Sequence, residues 1–458
     1  MEKNQTLNGS TIQNQLISEL YESPNKSITA SSDKQNLKSN MESTLGFEVG
    51  LYPVLIEKDF LCKIKKFNNR LSKVLCNSAN AVSKISCPHT KSKYPLFFDG
   101  YAVSVLERFS EKDFMARVDF CISKNQIKLL EVNSGGSIGG WELDFIQPLI
   151  ASSLDSLAIP KDIEFKYYSI LKALVSYLAN RVFALDKPDS NGLIVVFIDG
   201  NKTEFTHLVE QKLQHIYESL DIFDGGKILI CNDISELGFS TGCPVEFKGK
   251  SIDALLFADY NSHSKYHDYC QDSFYNGELV YPDNIANLLL GHKSYMALLH
   301  EPAMLDVLSN TDCDWIKEFI PRTTLLSDVK SSSDNVQFTT KKYILRNKSE
   351  FVLKKDKSLQ GKDVIIGKDT EQSKWCTIVE RLLQQQGWIV QKFCIPDYIT
   401  ITDKEGIIIS AIPVWASFNF AGSFGGFFAR TIGSDARGHK VNAADGANLN
   451  LVFEAQYL

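Results

Sequence analysis

The chain has 458 residues, of which 44% are hydrophobic and 23% are charged. This length exceeds what one hydrophobic core usually spans, so we expect two or three sub-domains with sizeable cores. The formal net charge of −6 argues against a general nucleic-acid-binding protein, which normally carries a basic stripe. No run reaches the roughly 18 apolar residues that a membrane-spanning helix needs. Neither nucleic acid nor membrane is therefore expected as a partner.

Residues 1–45 are dominated by Ser, Asn, Gln, Thr and Lys. Such a segment buries too little apolar surface to offset its ordering entropy, so we expect a disordered polar tail. Its first residues have neither the apolar core nor the cleavage site of a secretory signal.

Ten cysteines are scattered singly along the chain, and none forms a CxxC pair. A zinc site would require clustered Cys and His residues. The pattern instead favours buried free thiols in the reducing cytoplasm.

The first predicted elements are helical. Apolar residues recur at helical spacing between 54 and 85, and the C-terminal half of 96–110 also reads as a helix. Two strands follow at 114–123 and 127–133, and the short polar turn between them predicts an antiparallel hairpin. The core face of the first helix is expected to consist of Leu61, Ile64, Phe67, Leu71, Val74 and Leu75.

A different unit follows Pro188. Its predicted elements are a strand at 192–199, a helix at 206–220, and two strands at 227–232 and 252–258. Strands and helices that alternate at this spacing predict a parallel α/β sheet. The helix is expected to bury Leu208, Leu213, Ile216 and Leu220.

The last third begins with a predicted helix at 285–307. The elements predicted after it are strands at 351–355 and 364–367, a helix at 376–387 that ends at Gly387, and strands at 388–393 and 406–418. The strand at 388–393 fits two interpretations, an edge strand with free backbone donors and acceptors or a plain core strand. Residues 421–450 are rich in Gly, Ala, Asn and Asp, which is typical of an irregular surface loop or a ligand-binding loop.

The predicted hairpin carries the first set of chemically significant residues. Arg117 and Asp119 lie two apart on one strand, and Glu131 and Asn133 lie two apart on the other, so each pair shares a face. Two carboxylates and an amide form an oxygen-only site that suits Mg²⁺ together with nucleotide phosphates. The same residues also fit an ion-pair network on an exposed sheet face.

Two further segments fit a phosphate ligand. The sequence SGGSIGG (134–140) lets backbone approach a ligand closely, although it lacks the Rossmann spacing and also fits a plain loop. In FVLKKDKSLQGKDVIIG (351–367), Lys354 points from a strand and precedes a polar loop that contains Gly361. This arrangement fits a phosphate-covering hairpin, and it equally fits an exposed hairpin with solubilising lysines.

In chain order, these segments resemble the circularly permuted ATP-grasp proteins, the group that includes glutathionylspermidine synthases. Ordinary ATP-grasp enzymes place the lysine hairpin before the metal-binding strands, whereas here the metal strands come first. RVDF and LLEVN match the family's Arg-x-Asp-Phe and Leu-Leu-Glu-x-Asn segments, including the 12-residue step from Asp119 to Glu131. The likeness covers roughly residues 46–458.

This resemblance implies ATP and Mg²⁺ as cofactors. Asp119, Glu131 and Asn133 would hold Mg²⁺, and Arg117 would contact the transferred phosphoryl group. Glu142 and Gln147 fall where synthetases of this group carry Glu and Gln. Residues that match nucleotide-binding positions are Lys293 and Lys354, the loop residues Ser358, Gln360, Gly361 and Lys362, the adenine hinge Gln391, Lys392 and Phe393, where the family's backbone meets adenine, and the late phosphate residues Arg430 and Asn442.

The implied fold is α/β (α+β), a circularly permuted ATP-grasp fold with an inserted Rossmann-like pre-ATP-grasp unit. Its parts would be 46–185 with the metal strands, 186–282 as the inserted unit, and 283–458 with the lysines, hinge and phosphate loop. The implied activity is ligation of a carboxylate to an amine through an acyl phosphate. The expected substrates are amino acids or short peptides of a biosynthetic pathway, and a homodimer is compatible with this reading.

Two other functions stay open at this stage. One is a phosphotransferase that uses the same nucleotide site and moves phosphate to a hydroxyl. The other is a nucleotide-binding scaffold without turnover, which is favoured by the single glycine of the loop, Gly361, where family members carry two or more.

Overall fold

The computed structural model describes residues 46–154, 162–185, 190–200, 203–240, 242–258, 266–329, 340–358, 361–403, 407–436, 438–443 and 446–457, together with 39, 42, 43 and 187. The predicted polar tail, residues 1–45, lies almost wholly outside these ranges. Within them, no helix is both long enough and apolar enough to cross a membrane.

The fold is mixed α/β. Its strands are β1 (Val54–Ile56), β2 (Met115–Ser123), β3 (Gln126–Ser134), β4 (Ile163–Tyr167), β5 (Leu193–Phe197), β6 (Lys227–Cys231), β7 (Leu237–Gly238), β8 (Glu246–Phe247), β9 (Lys250–Ser251), β10 (Ala254–Phe257), β11 (Thr323–Leu325), β12 (Phe351–Lys355), β13 (Val364–Ile366), β14 (Trp388–Lys392), β15 (Ile399–Thr402), β16 (Ile408–Phe420), β17 (Ser423–Gly433) and β18 (Asn448–Tyr457). Its helices are α1 (Lys58–Ala81), α2 (Pro88–Lys93), α3 (Pro95–Phe98), α4 (Gly100–Glu107), α5 (Leu143–Leu154), α6 (Ile170–Phe183), α7 (Glu204–Ser219), α8 (His267–Tyr275), α9 (Ile285–Leu290), α10 (Lys293–Leu298), α11 (Pro302–Leu305), α12 (Asn310–Phe319), α13 (Lys341–Arg346) and α14 (Gln372–Leu382).

An eight-stranded mixed sheet forms the centre of the described structure. Its order is β1-β18-β17-β16-β2-β3, with β15 paired to β16 and β4 paired to β18. Consecutive residues of β17 point to opposite faces, so Phe427 joins the core around α1 while Phe428 joins the core around α6. The predicted apolar face of α1 is confirmed, because all six of its residues are buried.

The segment 421–450, which reads as an irregular loop, contains all of β17 and the start of β18. This difference has a local cause at Gly426, which has a φ of 96° and sits where a Cβ would meet the backbone oxygen of Tyr168 at 2.5 Å. Glycine is therefore required here by close packing inside a strand. The irregular part of the segment is confined to the connection between β17 and β18.

The predicted hairpin is confirmed as β2 and β3. Lys124 and Asn125 form its two-residue turn with φ values of 53° and 62°, and their backbone N–H groups donate to the Asp397 carboxylate at 2.9 and 2.8 Å. The register shifts after Asp119, which pairs with Glu131, so Leu130 is an extra, bulged residue. The bulge lets two consecutive residues of β3 reach the same side.

The predicted parallel unit is also confirmed, since β10, β5 and β6 pair in parallel and α7 connects β5 to β6. The apolar face of α7 differs from the prediction. Its buried residues are Val209, Leu213 and Tyr217, whereas Leu208 is 50% exposed. The three buried residues are spaced four positions apart and end at a tyrosine. The buried face of α7 is therefore rotated by about one position from the predicted face.

The helix predicted at 285–307 is three short helices, α9, α10 and α11. Gly291 and His292 interrupt the first two, and Pro302 begins the third. The start of α10 is fixed by Asp356, whose carboxylate accepts the Ser294 backbone N–H at 2.7 Å. A long-range contact therefore decides where this helix begins.

The strands β11, β14, β12 and β13 form an antiparallel sheet in that order. Of the two interpretations of 388–393, the core strand is confirmed and the edge strand is wrong, because β14 pairs on both sides. Helix α14 ends at Leu382, five residues before Gly387, where the helix was expected to end. It packs Trp375 into the core beneath this sheet.

All ten cysteines lie within the described ranges, and none of them forms a disulfide. The prediction of free thiols is confirmed. The prediction that they are buried holds for Cys121, Cys231, Cys270 and Cys313, whereas Cys62 and Cys243 are exposed.

We expect Gly136→Ala to destabilise the fold by about 1–3 kcal/mol, because overpacking forces neighbouring groups to move. A Cβ at Gly136 would lie 2.5 Å from the Phe257 backbone oxygen and 2.6 Å from Leu256 Cδ1. The matched control is Gly100→Ala, where no atom lies within 4 Å. Urea unfolding measures both variants, and equal stability of the two would contradict the packing argument.

Candidate functional site

A cavity of about 590 Å³ lies between the large sheet and the four-stranded sheet. The hairpin β2–β3 and strand β17 form one wall, and β12, β13 and β14 form the other. The predicted site residues that line it are Arg117, Asp119, Glu131, Asn133, Lys293, Lys354, Ser358, Gly361, Gln391, Lys392, Phe393, Arg430 and Asn442. Residues that are far apart in the sequence thus meet in one place.

Two predicted residues are not placed there. Gln360 lies outside the described residues. Lys362 is exposed and is not part of the described cavity lining. Of the two residues implied downstream of the hairpin, Glu142 lines the cavity and Gln147 does not.

Asp119 is the most heavily paired acid of the site. It receives Arg117 Nε at 3.0 Å, Arg430 Nη2 at 2.6 Å and Asn133 Nδ2 at 3.2 Å. Burial raises the pKa of Asp119, but the charges of Arg117 and Arg430 outweigh burial and hold the pKa well below its usual range. The carboxylate therefore stays ionised and fixes both guanidinium groups.

Each of the two predicted nucleotide lysines donates a hydrogen bond to a backbone oxygen. Lys354 Nζ donates to the backbone oxygen of Leu130, the bulged residue of β3, at 2.9 Å. Lys293 Nζ donates to the Ser358 backbone oxygen at 3.1 Å and lies 3.5 Å from Glu131 Oε2. Burial lowers the pKa of Lys354, and the nearby charge of Lys293 lowers it further, which Glu131 partly offsets. An anion in the cavity would stabilise both ammonium groups.

Asp356 ties the two lysines together, and the sequence gives no direct signal for it. Its carboxylate lies 2.8 Å from His292 Nδ1 and accepts the Ser294 N–H at 2.7 Å. Asp356 therefore joins the segment just after Lys354 to the start of the helix that carries Lys293. Burial raises the pKa of Asp356, but its hydrogen bond and charge interaction with His292 bring it below its ordinary value.

The glycine-rich segment 134–140 forms the floor beside Arg117. The Arg117 guanidinium donates to the backbone oxygens of Ile138 and Gly139, the latter at 3.3 Å. Asp283 accepts the Gly136 N–H at 2.7 Å and the Phe257 N–H at 3.0 Å, and burial raises its pKa to about 6. The segment is thus held to the edge of the parallel sheet.

The cavity carries a positive electrostatic bias. Six Lys and Arg side chains line it, against three Asp and Glu side chains, in a chain whose net charge is −6. Burial also raises the pKa of Glu142. A polyanionic ligand fits this arrangement.

The wall formed by the four-stranded sheet has an apolar end. Ile366, Val352 and Gln391 are cross-strand neighbours, and Lys354 follows Val352 by two residues on the same face. The row is therefore about 7 Å from Lys354 along the strand. The end of the cavity formed by this row is called the apolar end below, and it fits a flat ring.

The Gln391 side chain has a hydrogen-bond acceptor that the described residues leave unused. Its Nε2 donates to Thr323 Oγ1 at 3.1 Å, while its buried Oε1 accepts no hydrogen bond among the described residues. At the predicted hinge, Gln391 pairs with both Thr323 and Val352, and Phe393 N donates to Glu350 O at 2.7 Å. The side-chain oxygen of Gln391 is therefore an acceptor open to a donor in the cavity.

The three metal ligands implied by the sequence lie on the neighbouring strands β2 and β3. Asp119 and Glu131 are opposite each other in register, and Asn133 is two residues further along β3. No group of three His, Cys, Asp or Glu that could hold a metal occurs among the described residues. Two carboxylates and an amide leave most of an octahedral Mg²⁺ shell to water and ligand oxygens, so the set fits Mg²⁺ only together with phosphates.

No protein-family model matches the chain, and no curated protein matches it. Among solved structures, the chain is similar to a glutathione synthetase-like effector from Globodera pallida in its apo form. That match has a TM-score of 0.57 and 11% identity, and it covers 92% of this chain and 96% of that chain. A structure described as a gamma-glutamylcysteine synthetase from Methylobacillus flagellatus has a TM-score of 0.39 and 11% identity, over 83% of this chain and 87% of that chain. A TM-score this low does not support a conclusion about the fold. The first match shows a shared mixed α/β fold.

We expect Asp119→Asn to destabilise the protein by roughly 3–5 kcal/mol at neutral pH, because two buried guanidinium groups lose their counter-charge. The folded-state pKa of Asp119 lies below its ordinary value of 3.8. The stabilisation is therefore complete above that value and is lost as the pH falls through the lower folded-state pKa. Urea unfolding at neutral pH and near pH 3 measures the difference, with exposed Asp224→Asn as the control. A difference that grows in acid would contradict this assignment.

Proposed function

We propose that the protein is an ATP- and Mg²⁺-dependent ligase that joins a carboxylate to an amine through an acyl phosphate. The observation that carries the proposal is the contact of Lys354 with Leu130 O at 2.9 Å, across a sequence separation of 224 residues. This contact brings a lysine-bearing hairpin onto the strand pair that carries Asp119 and Glu131. One cavity then contains cationic side chains, two carboxylates and an apolar end.

The order of these parts along the chain supports a circularly permuted ATP-grasp fold. The hairpin β2–β3 precedes the lysine hairpin β12–β13, and the parallel unit β5–β6–β10 lies between them. The proposed division is 46–185, 186–282 and 283–458, with the middle part as the pre-ATP-grasp unit. The similarity to the glutathione synthetase-like effector supports the fold.

ATP would lie along β12 with its base at the apolar end. Val352 and Ile366 would contact the adenine ring, and the free Oε1 of Gln391 would accept a hydrogen bond from its amino group. Lys354 and Lys293 would then exchange their backbone acceptors for phosphate oxygens. This exchange is favourable because hydrogen bonds between charged groups are stronger than bonds to neutral carbonyls.

Asp119, Glu131 and Asn133 would hold Mg²⁺ against the phosphates. When bound, the ion neutralises charge on the transferred phosphoryl group. Both oxygens of Asp119 already accept arginine N–H groups, so the residue becomes free for a metal only when phosphates engage Arg117 and Arg430. Metal and nucleotide would therefore bind as one unit.

The chemistry needs no nucleophilic side chain. A substrate carboxylate oxygen attacks the γ-phosphorus, the bond to the β–γ bridging oxygen breaks, and ADP leaves. An amine then attacks the acyl phosphate, inorganic phosphate leaves, and the nitrogen loses a proton. Arg117 and Arg430 would orient the transferred group, and the enclosing walls would keep water from the acyl phosphate.

The proposed substrates are an amino acid or a short peptide and a small amine. The cavity of about 590 Å³ is of the size that encloses small molecules, which fits ATP with one compact partner. The name of the neighbouring structure, a glutathione synthetase-like effector, supports a peptide-forming reaction. Binding to a second copy of the chain and a cytoplasmic location remain predictions.

We expect Lys354→Met to weaken Mg·ATP binding by about 100-fold, because each charge-assisted hydrogen bond to phosphate contributes roughly 1.5–3 kcal/mol. Lys354 is buried in the cavity wall, whereas its neighbour Lys355 is exposed, so Lys355→Met is a matched control. Isothermal titration calorimetry measures both variants. Equal affinities for the two would contradict the placement of the phosphates.

We expect Mg²⁺ alone to bind weakly and to bind strongly only with ATP, because the two arginines occupy Asp119 without phosphates. Calorimetry with Mg²⁺, with ATP, and with both together measures this coupling. Tight Mg²⁺ binding without nucleotide would contradict the proposed sharing of Asp119.

Turnover tests the reaction itself. We expect ADP release with pools of amino acids and short peptides, and a hydroxamate when hydroxylamine replaces the amine. Glu131→Gln should reduce this release by at least about 100-fold, because the substitution removes one of two anionic metal ligands. ADP release with a phosphorylated product and no hydroxamate would replace the ligase with a phosphotransferase. Nucleotide binding without release from any pool would favour the scaffold.

A further inference from the structure

A histidine and an aspartate are paired at the apolar end of the cavity, and the proposed function gives them no role. His439 Nδ1 lies 2.6 Å from Asp369 Oδ1, and the His439 backbone N–H donates to Asp369 Oδ2 at 2.7 Å. One carboxylate thus holds both the ring and the backbone of His439. His439 lines the cavity, whereas Asp369 does not.

The pair lies beside the proposed base, away from the phosphates. Asp369 follows strand β13 beyond Ile366, and Phe393 follows Gln391 by two residues, both on the side away from Lys354. The rings of Phe393 and His439 meet edge to face, with centroids 5.8 Å apart. The imidazole therefore extends the apolar end of the cavity.

The chain next to His439 covers the cavity along its length. Lys440, Val441 and Asn442 also line the cavity. Near the lysine hairpin, a Cβ placed on Gly361 would lie 3.1 Å from Lys440 Cε and 3.4 Å from Asn442 Nδ2. The segment 438–443 therefore touches the lysine loop at one end and Asp369 at the other.

We infer that His439 contacts the nucleotide base and that Asp369 is the residue that positions it. This inference rests on the proposed nucleotide site and adds to it a determinant of base recognition. Asp369 fixes the imidazole through Nδ1, and the His439 ring lines the cavity beside Phe393. The pair therefore favours a nucleotide over a bare polyphosphate.

The experiment compares Mg·ATP with inorganic tripolyphosphate and Mg²⁺ by calorimetry. Wild type should bind both ligands. Asp369→Ala and His439→Ala should each weaken ATP binding by about 10-fold, the loss of one charge-assisted hydrogen bond or ring contact, and leave tripolyphosphate binding unchanged. The double variant should be no weaker than either single variant, because the two residues act as a unit.

Exposed Asp224→Ala serves as the control for loss of a surface carboxylate, and thermal unfolding of each variant shows whether the fold is retained. Unchanged ATP binding in Asp369→Ala would overturn the inference and leave the nucleotide site intact. Equal losses for ATP and tripolyphosphate would also overturn it, because the pair would then act on the phosphates. A wild-type protein that binds neither ligand would overturn the proposed function itself.

Discussion

The ion pairs of Asp119 with Arg117 and Arg430 are the constraint on which the site depends. Arg430 lies on β17 and reaches Asp119 on β2 across the intervening strand β16. The pairs therefore hold three neighbouring strands in one arrangement and point two guanidinium groups at the cavity. A buried carboxylate with two cations leaves an excess of positive charge, which a polyanion can compensate.

The cations around this centre share a common device. Lys354 and Lys293 rest on backbone oxygens, and Arg117 donates to the oxygens of Ile138 and Gly139 as well as to Asp119. Neutral carbonyls satisfy the N–H donors without cancelling their charge. These cations are thus hydrogen-bonded while the cavity stays electropositive, so a phosphate could replace the carbonyls at small reorganisation cost.

Local patterns were sufficient to predict part of this arrangement. The hairpin β2–β3, and the shared face of Arg117 with Asp119 and of Glu131 with Asn133 within each strand, could be read from alternation and residue spacing, whereas the position of Glu131 opposite Asp119 depends on a bulge. The bulge at Leu130 could not, because it is defined by pairing rather than by residue type. The interior position of β14 depends on β11, which joins it through the Gln391–Thr323 contact across 68 residues. Sequence alternation identifies a strand but cannot show which neighbours it has.

Some residues of the site lie in segments whose structure could not be predicted from the sequence. The glycines of 421–450 indicated a loop, but Gly426 lies in strand β17. It is a glycine there because the backbone of Tyr168 packs too closely against it for a Cβ. Asp369 and His439 are 70 residues apart and lie in segments without regular pattern, so only the folded chain brings them together.

Segment 438–443 connects the two walls of the cavity. His439 in this segment contacts Asp369 beside the four-stranded sheet, and Asn442 O accepts the N–H of Ala447, the residue before β18 of the large sheet, at 3.0 Å. A base that contacts His439, as inferred above, would stabilise this segment in the position that it has here. In the proposed reaction, water must be kept from the acyl phosphate, so a segment that the base holds in place would favour chemistry only when a complete nucleotide is present.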